Sequence, residues 1–329
     1  MLNINCDQEF FRDKVVVVTG GTGTIGARIV EKLLVLPTSE VRVFSRDEQK
    51  HVALDHKIGI NNKLKFVVGD VRDESRTHQA LDGAHLLFHV AAIKHVHLAE
   101  YNPVETAKTN IIGASIVSSI AKDVGIERCI AVSTDKAVEP IGVMGMTKAI
   151  QERIFTLPNN GGPISGCVRF GNVLASSGSV VPLFKKMLDS GKKTLTVTHA
   201  KMTRFMMTVD QAADLTLFAM SNISHGDIVV LEQPSFLLTD LAEVMLEAYG
   251  IGPEGVEIVG LRPGERIHET LVSRDETSRM TKINGYILVH SNYSANQIVD
   301  ENSQPITSDN VPRMTKDQIK ELLSQCKVF

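Results

Sequence analysis

The strongest constraint on the fold is the alternation of short β-branched apolar runs with longer segments of helical periodicity between residues 15 and 170. This order is typical of a parallel sheet, because each strand needs a crossover before the next parallel strand can begin. We therefore predict an α/β fold with a doubly wound parallel sheet of at least six strands. The predicted strands are Val15 to Thr19, Glu40 to Phe44, Leu64 to Gly69, His85 to Val90, Cys129 to Ser133 and Gly166 to Phe170.

The alternation weakens beyond about residue 172. There the predicted helices, Val180 to Ser190, Val209 to Met220 and Leu238 to Tyr249, are separated by short strands and Gly/Pro turns. No linker divides this part of the chain from the first, so we expect the two parts to interleave. The sequence predicts a first domain over residues 1–172 and a smaller C-terminal substrate lobe over residues 173–329.

A glycine-rich segment joins the first predicted strand to the first helix. The run from Thr19, TGGTGTIG, contains both G-x-x-G-x-x-G and G-x-G-x-x-G. Glycines let the backbone turn sharply and approach a pyrophosphate, and the N-terminus of the following helix offers N–H groups to the anion. The first domain is therefore predicted to bind a dinucleotide. The expected contacts are Gly20, Gly23, Thr24, Ile25 and Gly26.

The ends of the second and third strands indicate which dinucleotide is bound. An NAD site usually places an acid first at the end of the second strand, whereas Ser45 and Arg46 come first here. A hydroxyl and a guanidinium suit a 2′-phosphate, so we predict NADP. NAD is the alternative if Arg46 is only a solvated loop charge. Asp70 and Val71 end the third strand, where an adenine edge would lie, although aspartate is also a common turn residue.

Composition and spacing exclude several classes of function. The net charge of −3 provides no general basic field for nucleic acid or an anionic membrane. The four cysteines lack CxxC spacing, and His89, His95 and His97 form no helical metal-binding pair, so no metal site is predicted. The N-terminus carries acids where a signal peptide carries bases, and no apolar run approaches ~20 residues. These features predict a cytoplasmic protein without a membrane segment.

Polar side chains cluster after the fifth predicted strand. Thr134, Asp135 and Lys136 follow it directly, and Lys148 comes twelve residues after Lys136. Side chains at the carboxyl end of a parallel strand project into the ligand crevice. A lysine held near another cation or in a dry cleft has its pKa lowered, so that it can act as a base. Asp135 and Lys136 could instead form a surface pair, but their position favours chemistry.

Eight stretches, in order along most of the chain, resemble those of the inverting UDP-N-acetylglucosamine 4,6-dehydratases. These enzymes are Rossmann-fold members of the extended short-chain dehydrogenase/reductases and open pathways to deoxy amino sugars of bacterial surface glycans. The resemblance implies a lyase with tightly bound NADP and a UDP-amino-sugar substrate. The stretches are TGGTGTIG at residue 19, FSRDE at 44, GDVRD at 69, HVAAIKHVHLAEYNPVETAKTNIIGA at 89, STDKAVEPIGVMGMTK at 133, VRFGNVLASSGSVVPLF at 168, MTRFMM at 202 and LRPGERIHETL at 261.

The resemblance also implies a mechanism. In that family hydride passes from sugar C4 to NADP, the resulting ketone acidifies the C5 proton, water leaves from C6, and hydride returns to C6. By resemblance, Lys136 removes the C5 proton and Asp135 protonates the departing C6 hydroxyl. Lys148 would hold the nicotinamide ribose, and Thr134 would hydrogen-bond the C4 oxygen.

One position departs from the wider dehydrogenase pattern. Tyr-x-x-x-Lys is usual there, but Met144 occupies the tyrosine position and has no proton to exchange. Thr134, Lys148 or a water held by Asp135 are the candidates for deprotonating the C4 hydroxyl. Some members of the resembling family also carry methionine at this position, and a catalytically inactive homologue is the alternative.

The substrate contacts are likewise implied by resemblance. Arg204 and Arg262 stand in segments similar to the family's diphosphate contacts, and arginine forks suit phosphate oxygens. Asn172 and Lys94 are expected at the sugar or its diphosphate, with Lys94 also near the cofactor, and Glu265 at a ribose hydroxyl. Residues 308–310 and 315–324 resemble a segment near the substrate pocket and are predicted to form a lid.

The resemblance also bears on quaternary structure, and two other functions remain open. The resemblance implies a homo-oligomer, a dimer or hexamer, built from the helices Pro103 to Val124 and Gly145 to Phe155. A nucleotide-sugar 4-epimerase or reductase remains open; it would ordinarily need tyrosine at position 144 and has no need of the Asp135 and Lys136 pair. A non-catalytic NADP-binding regulator is the third hypothesis.

Overall fold

The computed structural model describes residues 7–158, 161–174, 176, 178–262, 264–291 and 304–328. The strands are β1 Val15–Thr19, β2 Glu40–Ser45, β3 Leu64–Val68, β4 Leu86–His89, β5 Arg128–Val132, β6 Ile164–Arg169, β7 Asn172–Val173, β8 Leu195–Val197, β9 Thr203–Met207, β10 Ile228–Leu231, β11 Ser235–Leu237, β12 Val256–Ile258, β13 Thr270–Val272, β14 Met280–Ile283, β15 Tyr286–Val289 and β16 Ile306–Thr307. The α-helices are α1 Thr24–Val35, α2 Glu48–Ile58, α3 Glu74–Leu81, α4 Val96–Tyr101, α5 Pro103–Ala107, α6 Gly113–Asp123, α7 Val143–Thr156, α8 Val180–Asp189, α9 Val209–Asn222, α10 Leu238–Ala248, α11 Arg274–Thr277 and α12 Lys316–Gln325.

Within the described residues, nine strands form one sheet in the order β14-β15-β10-β6-β5-β4-β1-β2-β3. The strands from β10 to β3 run parallel, whereas β15 pairs antiparallel with β10 and β14 antiparallel with β15. The predicted α/β class and doubly wound parallel sheet are therefore confirmed. Each of the six predicted strands is present, with ends that differ from the prediction by no more than two residues.

Both faces of the sheet are covered because its strands are apolar on both sides. Side chains alternate along a strand, so Val16 and Val18 of β1 enter one core while Val17 enters the other. The first core is closed mainly by α1 and α9, and the second by α3, α6 and α7. A buried parallel sheet of this kind exposes its ligand crevice at the carboxyl ends of the strands.

The predicted helix from Pro103 to Val124 is wrong in one respect, because it is not a continuous α-helix. A π-helix, Lys108–Ile112, separates α5 from α6. It contains Asn110, which is fully buried. The Asn110 side chain accepts a hydrogen bond from the Ile93 backbone N at 2.8 Å and donates to the Ile93 O at 2.9 Å and to Thr147 Oγ1 at 3.0 Å. Such bulges often aim a side chain at a functional site, and here the bulge pins the loop after β4 to α7.

The C-terminal part interleaves with the sheet. After residue 172 the chain leaves the sheet and returns to it for β10, β14 and β15. The remaining elements have a core of their own, and α12 packs into that core through Ile319 and Leu323. The division at residue 172 stays a prediction; the sheet itself takes strands from both sides of it.

The surfaces of α4 to α7 carry exposed apolar side chains. Exposure is 79% for Tyr101, 64% for Val104, 53% for Ile112, 46% for Ile150 and 44% for Leu157. The homo-oligomer stays a prediction; of these side chains, Val104, Ile112 and Ile150 lie on the two helices predicted to build it. Among the described residues, no helix combines the length and the apolar character needed to cross a bilayer.

Candidate active site

The loop between β1 and α1 is packed too closely for side chains. Gly20 has a φ of +64°, the left-handed conformation that favours glycine, and a Cβ there would lie 2.7 Å from the Ala91 backbone N. A Cβ at Gly26 would lie 2.4 Å from the Gly20 carbonyl oxygen. Gly23 is the N-cap of α1, which begins at Thr24. The loop thus presents backbone at a helix N-terminus, and this surface fits a pyrophosphate.

Two arginines flank the carboxylate at the end of β3. Asp70 accepts hydrogen bonds from Arg72 Nη2 at 2.7 Å and Nε at 3.0 Å, while Arg46 Nη1 lies 3.4 Å from Asp70 Oδ2. Burial acts to raise the pKa of Asp70, but Arg72 outweighs it and holds that pKa below its usual range. Arg46 is 55% exposed, and Ser45 bonds Thr22 Oγ1 at 2.8 Å. Because Arg72 already pairs with Asp70, Arg46 is well placed to meet a further anion.

The turn after β5 brings three polar side chains into contact. Thr134 is the N-cap of a short 3₁₀-helix, Asp135–Ala137, and its Oγ1 donates to Asp135 Oδ1 at 2.8 Å. Lys136 Nζ donates to the same oxygen at 2.9 Å. Asp135 is only 1% exposed, and its Oδ2 has no hydrogen-bond partner in the described part of the chain. The residues predicted as acid and base therefore form one hydrogen-bonded unit, with one carboxylate oxygen unused.

Two glycines allow this turn to pack closely. A Cβ at Gly145 would lie 2.2 Å from the Lys136 carbonyl oxygen, so α7 can lie against the turn only with glycine there. A Cβ at Gly171 would lie 2.5 Å from Phe205 Cβ and 3.2 Å from Asp135 Oδ2. The glycines fix the distance between the turn, α7 and β9.

Lys148 lies behind the turn, one helical turn after Met144 on α7. Its Nζ donates to the Val132 carbonyl oxygen and to Gln151 Oε1, the latter at 2.7 Å. Burial lowers the pKa of Lys148 to about 8. His89 is fully buried at the end of β4; burial, reinforced by the charge of Lys148, lowers the pKa of His89 to about 3. The predicted lowering of a lysine pKa therefore applies to Lys148.

The pKa of Lys136 is shifted in the opposite direction to that of Lys148. Its Nζ lies 3.4 Å from Glu269 Oε1 and donates to Asn172 Oδ1 at 3.4 Å, in addition to its contact with Asp135. Burial acts to lower the pKa of Lys136, but Asp135 and Glu269 outweigh burial and raise it above its ordinary value. The expectation of a lowered pKa is therefore wrong for Lys136, because two carboxylates face its ammonium group.

A cavity of about 300 Å³ opens in front of these side chains. Of the predicted residues, it is lined by Lys136, Met144, Asn172, Arg204, Arg262 and Glu265. Thr134, Asp135 and Lys148 lie behind this lining, and Lys94 is exposed on the loop after β4. Met144 is 4% exposed and presents no proton donor or acceptor of ordinary strength to the cavity.

Arg204 differs from the expected phosphate clamp. Its Nη1 donates to the carbonyl oxygens of Thr203 at 2.7 Å and Ile267 at 3.1 Å, and its Nη2 donates to that of Arg266 at 2.8 Å. Its Nε lies 3.4 Å from Glu269 Oε1. Since most of its donors are engaged, a bidentate diphosphate contact would require these bonds to break. Arg262 is exposed, and its backbone bonds to Glu265: its N donates to Glu265 Oε2 at 3.2 Å, and its carbonyl oxygen accepts from the Glu265 N at 3.1 Å.

Sequence reasoning missed two residues that the tertiary structure brings into the site. Glu269 is 3% exposed and belongs to the segment LRPGERIHETL, but it lies far along the chain from Lys136. Glu100 of α4 accepts a hydrogen bond from the Val143 N at 2.7 Å and so caps the start of α7. The only available signal was that both lie in stretches that carry the family resemblance.

The predicted lid is wrong for the residues that were assigned to it. Ser308 is fully buried: its N donates to the Glu269 O at 2.8 Å, and its Oγ accepts from the Glu269 N at 2.9 Å. Its Oγ also lies 2.7 Å from Thr203 Oγ1. The helix α12 packs against α10 in the lobe core. Ser308 is therefore part of the framework that holds Glu269, and α12 is part of the lobe core.

The chain is similar to known proteins over most of its length. The family model described as "Polysaccharide biosynthesis protein" matches residues 16–291. An uncharacterized membrane protein of Methanocaldococcus jannaschii is 38% identical over 327 residues, covering 96% of this chain and 97% of that protein. UDP-glucose 4-epimerase of Rickettsia prowazekii is 36% identical over 331 residues, covering 95% of this chain and 96% of the epimerase.

Two solved structures extend the comparison. The X-ray structure of Pen from Bacillus thuringiensis superposes with a TM-score of 0.90 at 33% identity, covering 97% of this chain and 100% of that one. DesIV, the dTDP-glucose 4,6-dehydratase of Streptomyces venezuelae with NAD and TYD bound, has a TM-score of 0.70 at 23% identity, covering 77% of this chain and 86% of that one. At that identity the second match concerns the fold alone.

Proposed function

Since the chain belongs to the polysaccharide biosynthesis protein family, we propose that it dehydrates UDP-N-acetylglucosamine at C4 and C6 with inversion at C5, using NADP. The observation that carries this proposal is the unit formed by Thr134, Asp135 and Lys136 beside the cavity. Removing water from a sugar requires an acid for the leaving hydroxyl and a base for the neighbouring carbon, and this unit supplies both within 2.9 Å. Simple oxidation and reduction at C4 would require neither.

The same unit offers a route for the C4 proton despite Met144. Thr134 Oγ1 donates to Asp135 Oδ1 at 2.8 Å, so its lone pairs can accept the C4 hydroxyl proton while its own proton moves to Asp135. Thr134 remains neutral, and Asp135 becomes the carboxylic acid that the next step needs. Its proton then leaves with the C6 hydroxyl as water, which returns Asp135 to the carboxylate.

Lys136 takes the C5 proton in the proposed reaction. It must be neutral to do so, although two carboxylates favour its charged form. Protonation of Asp135 in the preceding step removes one of those negative charges and thereby lowers the pKa of Lys136. Proton transfer to Asp135 therefore prepares the base as well as the acid.

A bound nicotinamide dinucleotide would take hydride from C4 and return it at C6. The glycine loop from Gly20 to Gly26 would hold its pyrophosphate, because it presents backbone at the N-terminus of α1. Lys148 would hold the ribose next to the reacting carbon. Its bonds to Val132 and Gln151 fix its Nζ behind the turn and use two of its three N–H donors.

The proposed function is tested by incubating the protein with UDP-N-acetylglucosamine in D₂O and following the sugar by NMR and mass spectrometry. We expect a 4-keto-6-deoxy sugar with deuterium at an inverted C5, because Lys136 removes the C5 proton from one face and a deuteron from solvent is then delivered to the opposite face. A C4-epimerised sugar of unchanged mass would contradict dehydration and establish an epimerase. No reaction while dinucleotide remains bound would contradict dehydration of this substrate and point to a different nucleotide sugar or to the non-catalytic regulator.

The 4-epimerase is the second candidate because a protein of that name is 36% identical over 331 residues. An epimerase must deprotonate and reprotonate the C4 oxygen, for which Thr134 is present, but it gives no role to an acid and base pair directed at C5 and C6. Met144 leaves either reaction without the usual tyrosine. The D₂O experiment separates the two, since only dehydration places solvent deuterium at C5.

The choice of NADP is tested at Arg46. Replacing Arg46 with alanine is expected to weaken NADP binding by about 10- to 100-fold while NAD binding changes little, because charge-assisted bonds to the 2′-phosphate contribute about 1.5–3 kcal/mol. Calorimetric titration of both dinucleotides measures this. Arg12→Ala is the matched control, since Arg12 is exposed and pairs only locally with Glu9. Equal weakening of both dinucleotides would contradict the assignment.

A further inference from the structure

Glu269 links the proposed base to an arginine of the substrate lobe. Its Oε1 lies 3.4 Å from Lys136 Nζ and 3.4 Å from Arg204 Nε, and its side chain is only 4% exposed. Lys136 in turn contacts Asp135 at 2.9 Å. The four side chains thus form a row of alternating charge that ends at the proposed acid.

The position of Glu269 is fixed from both sides. Ser308 bonds its backbone N and O at 2.9 and 2.8 Å, which ties it to the strand pair of β13 and β16. Arg204 bonds the carbonyl oxygens of Arg266 and Ile267, just before Glu269. A buried carboxylate held by its backbone in this way cannot follow a displaced lysine. The lysine is therefore the partner that is positioned.

The carboxylate of Glu269 lies between two positive charges, those of Lys136 and Arg204. Without Glu269, the guanidinium of Arg204 would face Lys136 with no charge between them, and like charges in a partly dry site repel strongly. Asp135 alone would then hold the ammonium group. Its charge disappears in the proposed reaction when it accepts a proton, so a second carboxylate is needed to keep Lys136 in place at that moment.

We propose that Glu269 is a positioning residue that holds Lys136 in contact with Asp135 through the proton transfers; this assignment rests on the proposed dehydration. It gives Arg204 a different role from the predicted phosphate contact, because Arg204 then orients Glu269 and the segment before it. The charged groups that face Lys136 are Asp135 on its own turn, Glu269 and Arg204, with His97, Arg262, Glu265 and Arg266 elsewhere on the cavity wall.

The test is a titration of Lys136 that does not depend on catalysis. Lysine is labelled with ¹³C at Cε, the Lys136 signal is assigned by its loss in Lys136→Ala, and its midpoint is measured by NMR in the wild type and in Glu269→Gln. An opposite charge at this distance shifts a titration by about 1 pH unit or more, so the midpoint is expected to fall by that amount. Glu257→Gln, on the exposed strand β12, is the control and is expected to leave the midpoint unchanged.

A second variant covers the case in which Glu269→Gln does not fold. Glu269→Asp keeps the buried charge opposite Arg204 but retracts it by one methylene from Lys136, so a fall in the same direction of smaller size is expected. In both variants the ascending limb of the pH profile of kcat should move to lower pH, because a base with a lower pKa is neutral at lower pH. A lower kcat with an unmoved limb would indicate a merely structural role.

The outcomes separate this proposal from the proposed function. An unchanged Lys136 midpoint in both Glu269 variants would overturn the positioning role, whatever the enzyme does with UDP-N-acetylglucosamine. Conversely, if the wild type produces no deuterated 4-keto-6-deoxy sugar, the proposed dehydration is contradicted. The NMR midpoint still shows whether Glu269 sets the titration of Lys136.

Discussion

Replacing Lys136 with alanine is expected to lower the rate of sugar dehydration by about 10²- to 10⁴-fold, the range in which a positioned general base contributes. Lys136 Nζ is the basic group at the cavity that also contacts Asp135, at 2.9 Å. Without it, no side chain takes the C5 proton, and deuterium from solvent does not enter C5. Dinucleotide binding should be unchanged, since the glycine loop and Arg46 lie at other strand ends.

Two measurements make this prediction specific to the proposed role. Oxidation at C4 uses Thr134 and Asp135, so in Lys136→Ala the absorbance of reduced nicotinamide should rise on adding substrate and then persist. Lys192→Ala is the control, because Lys192 is exposed after α8 and lies outside the cavity lining. Turnover at the wild-type rate in a folded Lys136→Ala protein would contradict the assignment of the base.

The largest expected effect on stability is at Arg169. This side chain is 2% exposed at the end of β6 and makes two-pronged ion pairs with Glu152 of α7 and Glu276 of α11, at 2.8 to 3.0 Å. Arg169→Met leaves Glu152, which is largely buried, without this cation, and leaves Glu276 with only the longer ion pair to Arg279 at 3.6 Å among the ion pairs of the described residues. Breaking a buried pair in this way costs about 3–5 kcal/mol in the free energy of unfolding, measured by denaturant titration.

The pH dependence of that loss has a definite sign. Burial acts to raise the pKa of Glu276, but Arg169 outweighs it and lowers that pKa to about 2. A carboxyl whose pKa is depressed in the folded state contributes stability above its unfolded pKa of about 4.3, and the contribution is lost as pH falls through the folded value. The difference between wild type and Arg169→Met should therefore be largest near neutral pH and shrink from about pH 4 towards pH 2.

The control on α11 is a variant in which an exposed arginine is likewise replaced with methionine. Arg274 is exposed on the same short helix as Glu276, and Arg274→Met is expected to change the free energy of unfolding by less than about 0.5 kcal/mol. If Arg169→Met were as stable as Arg274→Met at neutral pH, the ion pairs would be contributing nothing, and the rigid connection between α7 and α11 would need another explanation.

Much of the fold follows from local patterns. The β-branched and apolar runs locate β1 to β6, because strands of a mostly buried parallel sheet are largely apolar. Backbone contacts under 3 Å leave no room for a Cβ at Gly20 and Gly26. The sequence predicted this loop by the spacing of its glycines between a strand and a helix. The hairpin of β14 and β15 was missed although the Asn284-Gly285 turn between them, with φ values of 52° and 82°, is a local signal for it. Only the pairing of β15 with β10 joins distant segments and leaves no local signal.

For the candidate site too, part could be predicted from the sequence and part depends on the tertiary structure. Thr134, Asp135 and Lys136 adjoin in the chain, so the sequence alone placed them together at a strand end. Their electrostatics depend on distant residues, and for that reason the predicted lowering of a lysine pKa appears at Lys148 and not at Lys136. The bonds of Arg204 to neighbouring backbone oxygens, which occupy most of its donors, were likewise invisible in the sequence.

The sequence by itself determined strands β1 to β6, the glycine loop and the cluster of Thr134, Asp135 and Lys136 at the end of β5, because each depends on residues adjacent in the chain or on the period of a single strand or helix. Only the tertiary structure decided that Glu269 faces Lys136, that Ser308 is a buried anchor and not a lid, and that Arg72 pairs with Asp70 beside an exposed Arg46. Charge and burial act through space, and the distances that govern them are set when separate segments pack together.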